Sequence, residues 1–432
     1  MDQLQEENHR LRQRIQELES QLAEPKVETD NVPPFQQVDK LSNAEIRRFG
    51  RQLILPHFGK AAQLKLRNTS ILVVGAGGLG SPACLYLGAG GVGRLGIVDH
   101  DTVDISNLHR QVIHTQNRRG MNKAVSAMMS VHAIYPDCEV IPYTFSLDSS
   151  NALDIIKQYD IVVDATDNVA TRYLLSDACV IAKKPLVSGS ALRYDGQLTI
   201  YNYNNGPCYR CLHPVPPPAD SVSKCSDTGV LGVVPGVIGT LEALEAIKIA
   251  IGANENEAPS FLIFSALSSP TFRTMRLRNR KKDCEACGDT PTITKLIDYV
   301  QFCGASASDQ NLATRLLKPH KRVSCKDYNA VLTSGKPHLL LDVRPEIQYD
   351  ICALPNSWNI PIDQLQKQID KVQSKMQENT ISPDDVFIVC RLGNDSQLAV
   401  RMLEDRGIKG CRDIIGGLFQ WSTDVDASFP VY

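Results

Sequence analysis

Along this chain, short and nearly continuous apolar runs alternate with stretches in which apolar positions recur at helical spacing. Ser70–Val74, Arg94–Val98, Cys138–Pro142 and Asp160–Val163 are runs of the first kind. A strand covered on both faces reads this way, because neither face can be left polar. Helical stretches separate the runs; the one after the first opens at Leu79 and reaches Leu87. Such alternation predicts an α/β fold with a Rossmann-like parallel sheet. Pro185–Ala191 and Gln197–Tyr203 read as an extension of that sheet. Leu339–Asp342 and Val386–Val389 are buried strands of a second, smaller α/β unit, each ending at polar residues.

The flanking segments have other patterns. Leu4, Leu11 and Leu18 recur at heptad spacing, with Asn8, Ile15 and Leu22 as a second series. They predict an amphipathic or short coiled-coil helix, of a length that is marginal in isolation. Residues 24–34 are polar and Pro-rich, a linker. The expected organisation is therefore a helix and linker over 1–34, a nucleotide-binding domain over 35–289, a connector with one helix over 290–323, and a small domain over 324–432.

Composition narrows the function classes. The 432 residues carry 46 basic and 48 acidic groups, a net charge of -2. Neither stable nucleic-acid binding nor direct membrane contact is expected of so balanced a chain. No apolar stretch is long enough to span a bilayer, and the first residues lack the apolar core of a signal peptide. The 13 cysteines are odd in number and partly in Cys-x-x-Cys pairs, which favours a reducing compartment with metal and catalytic uses. Cytoplasm is the expected location.

Gly75-Ala76-Gly77-Gly78-Leu79-Gly80 lies between a strand and a helix, the context in which glycines let backbone approach a phosphate at a helix N-terminus. Asp99 ends the next strand, where a carboxylate can hold ribose hydroxyls. These features alone suit NAD or FAD. Asn107, Arg110, Gln111 and Lys123 shift the reading, since paired cations suit an enzyme that expels pyrophosphate from ATP. Asp164-Ala165-Thr166-Asp167-Asn168 ends another strand, and a carboxylate there could hold Mg2+ against a triphosphate.

Cys208-x-x-Cys211 and Cys284-x-x-Cys287 have the spacing of a four-thiolate zinc site, with a redox role for either pair as the competing reading. Cys225 lies beyond Pro214-Val215-Pro216-Pro217-Pro218 in a polar stretch, where Lys224 could favour a thiolate. Thioester carrier, disulfide partner, accessory thiol and plain exposed cysteine all remain open for it. Cys84, Cys179 and Cys303 sit in apolar or helical contexts and read as core residues. Cys390 ends a buried strand on the loop Cys390–Ser396. Backbone N–H groups there, with Arg391, could stabilise a sulfur anion. A cysteine-dependent phosphatase would need arginine at 396, where this chain has serine; a persulfide does not need it.

Arg48-Phe49-Gly50-Arg51-Gln52, the glycine loop, Asn107-Leu108-His109-Arg110-Gln111 and Ala165-Thr166-Asp167-Asn168 together resemble the ubiquitin-activating, E1-like adenylation family over about residues 41–285. Many relatives have glutamine where this chain has His109. Asp342-Val343-Arg344, the Cys390 loop and Gly416-Gly417-Leu418-x-x-Trp421 resemble a rhodanese domain. The order of the two is similar to that of the eukaryotic E1-like adenylyltransferase-sulfurtransferases of molybdenum-cofactor synthesis and ubiquitin-related-modifier activation.

The resemblance implies an ATP site made by Gly75, Gly77, Gly78, Gly80, Asn107, Gln111 and Asn168, with Asp99 on ribose and Arg110 and Lys123 on phosphates. Asp167 is implied as the Mg2+ or catalytic carboxylate, with Asp164 the lesser candidate. Arg51 is implied to reach the other subunit of a homodimer. One structural Zn2+ per subunit is implied on the four paired cysteines. Cys225 is implied to attack an acyl-adenylate or help transfer sulfur, and Cys390 to carry a persulfide. Arg391 would shape the loop electrostatics, and Asp342 would support the fold beside it. The expected reaction is adenylation of the Gly-Gly terminus of a ubiquitin-like sulfur carrier. Persulfide from a cysteine desulfurase or other donor then gives a thiocarboxylate for wobble-uridine 2-thiolation in transfer RNA or for molybdopterin synthesis. The alternative is an E1-type enzyme that passes a Cys225 thioester to protein conjugation, with the C-terminal domain docking.

Overall fold

A computed structural model describes residues 32–218, 228–255, 257–304 and 316–432. The N-terminal heptads and Cys225 lie outside these described residues. The chain divides into two compact units, Met1–Asp309 and Gln310–Tyr432.

In the first unit the apolar runs become an eight-stranded sheet: β1 (Ser70–Val74), β2 (Arg94–Val98), β3 (Glu139–Tyr143), β4 (Ile161–Asp164), β5 (Leu186–Leu192), β6 (Asp195–Tyr201), β7 (Ser260–Ser265) and β8 (Phe272–Arg276), in the order β3-β2-β1-β4-β5-β6-β7-β8. β1 to β5 are parallel, and β6, β7 and β8 continue antiparallel. Every residue of β1, β2 and β4 is buried, as continuous apolar runs require. Helices α1 (Gly80–Gly90), α2 (Lys123–Ile134), α3 (Val169–Ala182) and α4 (Val233–Ile251) cover the sheet. One core joins α1, α2 and α4 to one face, around Val73, Leu87, Val131 and Ile238. The other puts α3 on the opposite face, around Leu72, Tyr159, Tyr173 and Leu175.

The chain runs from β1 outward to β2 and β3, then crosses back to β4 on the other side of β1. That reversal opens a crevice at the carboxyl ends of β1 and β4, where open α/β sheets bind ligands. The short helix Tyr299–Cys303, from the segment expected as connector, packs in this unit. Its Tyr299 hydroxyl donates to Asp177 at 2.8 Å.

The second unit is a five-stranded parallel sheet of β9 (Arg322–Val323), β10 (Leu339–Asp342), β11 (Ser357–Asn359), β12 (Val386–Val389) and β13 (Arg412–Ile414), in the order β11-β10-β12-β13-β9. Helices α5 (Cys325–Ser334), α6 (Ile362–Glu378), α7 (Asp395–Asp405) and α8 (Gly417–Asp424) surround it. α6 and α7 bury Leu365, Ile369, Val400 and Leu403 on one face, while α5 and α8 bury Tyr328, Leu418 and Trp421 on the other. Arg322, also from the expected connector, begins β9 and binds the buried Asp413 through two hydrogen bonds of 2.9 Å. No helix among the described residues is long and apolar enough to cross a membrane.

Candidate active site and thiolate cluster

The glycine loop leaves β1 and enters α1. Gly75 has φ +99°, and a Cβ there would stand 2.6 Å from the Ala165 carbonyl. A Cβ at Gly80 would lie 1.8 Å from the Gly75 oxygen. Two close approaches of backbone therefore exclude side chains at these positions. The loop borders a cavity of about 360 Å³ lined also by Asp99, Arg110, Gln111, Lys123, Asp167 and Asn168. Gly77 and Gly78 line it; Gly80, Asn107 and Arg51 do not.

Supporting contacts explain how each group is held. Asp99 accepts the amides of Ala76 at 2.8 Å and Asp101 at 2.9 Å, and burial raises its pKa against the pull of Lys123. Lys123, at the start of α2, is buried and binds Asp101 at 2.9 Å. Asn107 accepts from Arg110 at 2.7 Å and so positions the guanidinium. Asn168 caps α3 by accepting from the Thr171 amide at 2.8 Å. Gln111 is buried, and its Oε1 finds no hydrogen-bond partner among the described residues. Arg51 is exposed on the short helix Gly50–Leu53.

The two carboxylates at the end of β4 and just beyond it face different ways. Asp164 is buried and accepts from the Thr166 amide and hydroxyl and from the Ser188 hydroxyl at 2.7 Å. Asp167 is exposed in the cavity and accepts no hydrogen bond among the described residues. Its free oxygens fit a hard divalent cation, whereas those of Asp164 are occupied. Sequence reasoning passed over Asp101, His114 and Arg172. Arg172 donates to the carbonyls of Thr166 at 2.9 Å and Gly189 at 3.0 Å, bracing this turn from beneath. Only a polar residue within an otherwise apolar stretch, such as Val112-Ile113-His114, would have signalled the second of these.

Cys208, Cys211, Cys284 and Cys287 converge, with all four sulfurs within 4.8 Å of one another and separations of 3.9, 3.6 and 3.4 Å. Zn–S bonds of about 2.3 Å at tetrahedral angles place sulfurs about 3.8 Å apart, so the cluster fits a closed zinc site. The remaining described cysteines carry no disulfide; Cys84, Cys179 and Cys303 are buried in the core.

In the second unit, Cys390 directly follows β12 and is almost fully buried. Its sulfur accepts the Gly393 amide at 3.1 Å and lies 3.5 Å from the Ser396 hydroxyl. Burial raises the thiol pKa, while Ser396 and the Gly393 amide lower it. The loop enters α7, whose N-terminal end adds positive potential. Gly393 and Gly417 have φ of +79° and +60°, and a Cβ on Gly417 would sit 2.3 Å from the Cys390 carbonyl oxygen. Arg391 donates to the Tyr432 carbonyl, and its guanidinium lies 5.1 Å from that ring. Asp342 and Arg344 form a buried ion pair, and Arg344 also holds the Cys352 carbonyl and the Tyr432 hydroxyl, each at 2.7 Å. A loop amide thus donates to this sulfur, an arrangement that favours negative charge on it.

A model of the ThiF family matches residues 49–286, and one of the rhodanese-like domain matches residues 324–424. The chain is 50% identical over 399 residues to the adenylyltransferase and sulfurtransferase MOCS3 of Aedes aegypti, covering 91% of each. It is 46% identical over 439 residues to that of Danio rerio, covering 98% of this chain and 95% of the other. Among solved structures, MccB of E. coli superposes with a TM-score of 0.50 at 19% identity, over 56% of this chain and 73% of that one. That likeness is one of fold. Its match over residues 49–286 and its near full-length relatives place this chain in the ThiF family, among the members that join a ThiF unit to a rhodanese-like domain.

Proposed function

We infer that this protein adenylylates the C-terminal Gly-Gly carboxylate of a small ubiquitin-like sulfur carrier and then converts it to a thiocarboxylate. The observation that carries the reading is a nucleotide cleft joined, in one chain, to a cysteine whose sulfur is cradled by a loop amide at a helix N-terminus.

In the first step an oxygen of the carrier's carboxylate attacks the α-phosphorus of ATP, and pyrophosphate leaves. Glycine-loop amides, Arg110 and Lys123 offset the phosphate charge, and Asp99 holds the ribose. Asp167 would hold Mg2+, which when bound supplies positive charge against the phosphates. Arg51, exposed and outside the cleft of its own subunit, would serve the cleft of a second copy in a homodimer.

In the second step Cys390 carries a persulfide received from a cysteine desulfurase or another donor. Its terminal sulfur attacks the acyl carbon, AMP leaves, and an acyl disulfide forms. A thiol then attacks the Cys390 sulfur of that disulfide, releasing the thiocarboxylate and leaving a mixed disulfide that a two-electron reductant clears. Cys225 is suited to be that thiol, or to hold the carrier earlier as a thioester. It precedes Val230, which lines the cleft, by a few residues in the sequence. No disulfide joins the described cysteines, which suits the reducing cytoplasm. Wobble-uridine 2-thiolation in transfer RNA and molybdopterin synthesis are the uses of the product.

Intact-mass spectrometry of a Gly-Gly-ending carrier tests this, after incubation with the protein, Mg-ATP, a persulfide donor and reductant. The expected shift is replacement of one carboxyl oxygen by sulfur, lost in Cys390→Ala while ATP–pyrophosphate exchange persists. Carrier accumulating only as an adenylate or a Cys225 thioester would overturn the reading in favour of conjugation.

A further inference from the structure

His114 lies behind the glycine loop and outside the cleft, fully engaged yet given no part in the chemistry above. Its Nε2 is 2.9 Å from the Ala76 carbonyl and its Nδ1 is 2.9 Å from the Ser126 hydroxyl on α2. A carbonyl only accepts, so Nε2 carries the proton, and Nδ1 accepts from Ser126. Burial keeps the ring neutral, with its pKa pushed down to about 4. On the other side, the Ala76 amide is held by Asp99 at 2.8 Å. Ala76 is thus gripped at both ends.

The next peptide gives this grip its consequence. In a planar trans peptide the C=O and the following N–H point in opposite directions. With the Ala76 carbonyl drawn back to His114, the Gly77 N–H points forward. Gly77 lines the cavity, and its N–H has no hydrogen-bond acceptor among the described residues. Glycine at 77 leaves this peptide free to flip unless something holds it.

We propose that His114 is a positioning residue for the nucleotide: it holds the Ala76–Gly77 peptide so that the Gly77 N–H faces a phosphate of ATP. The proposal rests on reading the cavity as the nucleotide site. His114→Asn and His114→Gln separate its elements, since only the glutamine amide nitrogen reaches the place of Nε2. In the full-length protein, His114→Asn should speed hydrogen exchange of the Gly75 and Ala76 amides about tenfold. It should also raise the KM for ATP in ATP–pyrophosphate exchange about tenfold, with kcat within about threefold, the loss of one good hydrogen bond. His114→Gln should stay within about threefold of the parent in both. Should His114→Asn fail to fold, Ser126→Ala, which frees the ring, should raise both quantities about threefold. Unchanged loop exchange and KM in His114→Asn, or in Ser126→Ala where that variant stands in, would overturn the proposal. Equal loss in the asparagine and glutamine variants would overturn it too. Absence of ATP–pyrophosphate exchange in the parent would refute the nucleotide reading itself, while amide exchange still decides whether His114 holds the loop.

Discussion

Asp164 ends β4 and Asp167 closely follows it, yet one spends its oxygens on Thr166 and Ser188 while the other offers them to the cleft. A third carboxyl, Glu242 on α4, is fully buried without a side-chain partner among the described residues, and burial together with Asp164 raises its pKa well above 4.5. The native carboxyl therefore binds its proton more tightly than the unfolded one. Its contribution to stability is complete below about pH 4.5 and is lost as pH climbs toward the raised native value. Glu242→Gln keeps the shape and removes the titration. Thermal melts should show the variant gaining on the parent as pH rises from 5 to 8, by at least about 2 °C at the upper end. A constant difference across that range would mean that Glu242 is ionised in the native protein. Asp167 was legible in the sequence as a candidate because a carboxylate follows a buried strand. Its separation from Asp164 was not, since both follow the same run and only packing against β5 hides one of them.

At the scale of elements, the two chemistries are set by turns that leave no room for a Cβ. Gly417, at the start of α8, approaches the Cys390 carbonyl so closely that alanine must displace the Cys390 loop. Gly417→Ala also forces a φ of +60° on a side chain, and together these should cost more than about 2 kcal/mol in the second unit. Persulfide loading of Cys390, followed by alkylation and mass spectrometry, should fall at least about tenfold. ATP–pyrophosphate exchange should stay within about twofold, because the two units have separate cores. Loading at the parent level would mean that the loop yields without consequence. Several buried strands of the first unit were readable within a residue or two: Cys138–Pro142 became Glu139–Tyr143, and Asp160–Val163 became Ile161–Asp164. β8, β9, β11 and β13 were not, being short, part-exposed or edge elements with few apolar residues, and β7, with Phe261, Leu262, Ile263 and Phe264 in sequence, was passed over.

Across the whole molecule, the paired cysteines join the segment at 208–211 to the segment at 284–287, with α4, β7 and β8 between them. Chelation at neutral pH should therefore lower the melting transition of the first unit by about 10 °C or more and leave that of the second in place. Calorimetry with and without chelator checks this, with metal content measured in parallel. Coincident loss of both transitions would show that the units do not fold independently. By itself the sequence determined the buried strands, the glycine loop, the paired cysteines and the nested cysteine. Each is recorded in a few consecutive residues whose spacing has a local physical cause. Tertiary structure alone decided that His114 reaches Ala76, that Asp101 receives Lys123 and that Arg391 turns to Tyr432. Those partners come from different elements, and a side chain's direction depends on what the packed fold leaves beside it.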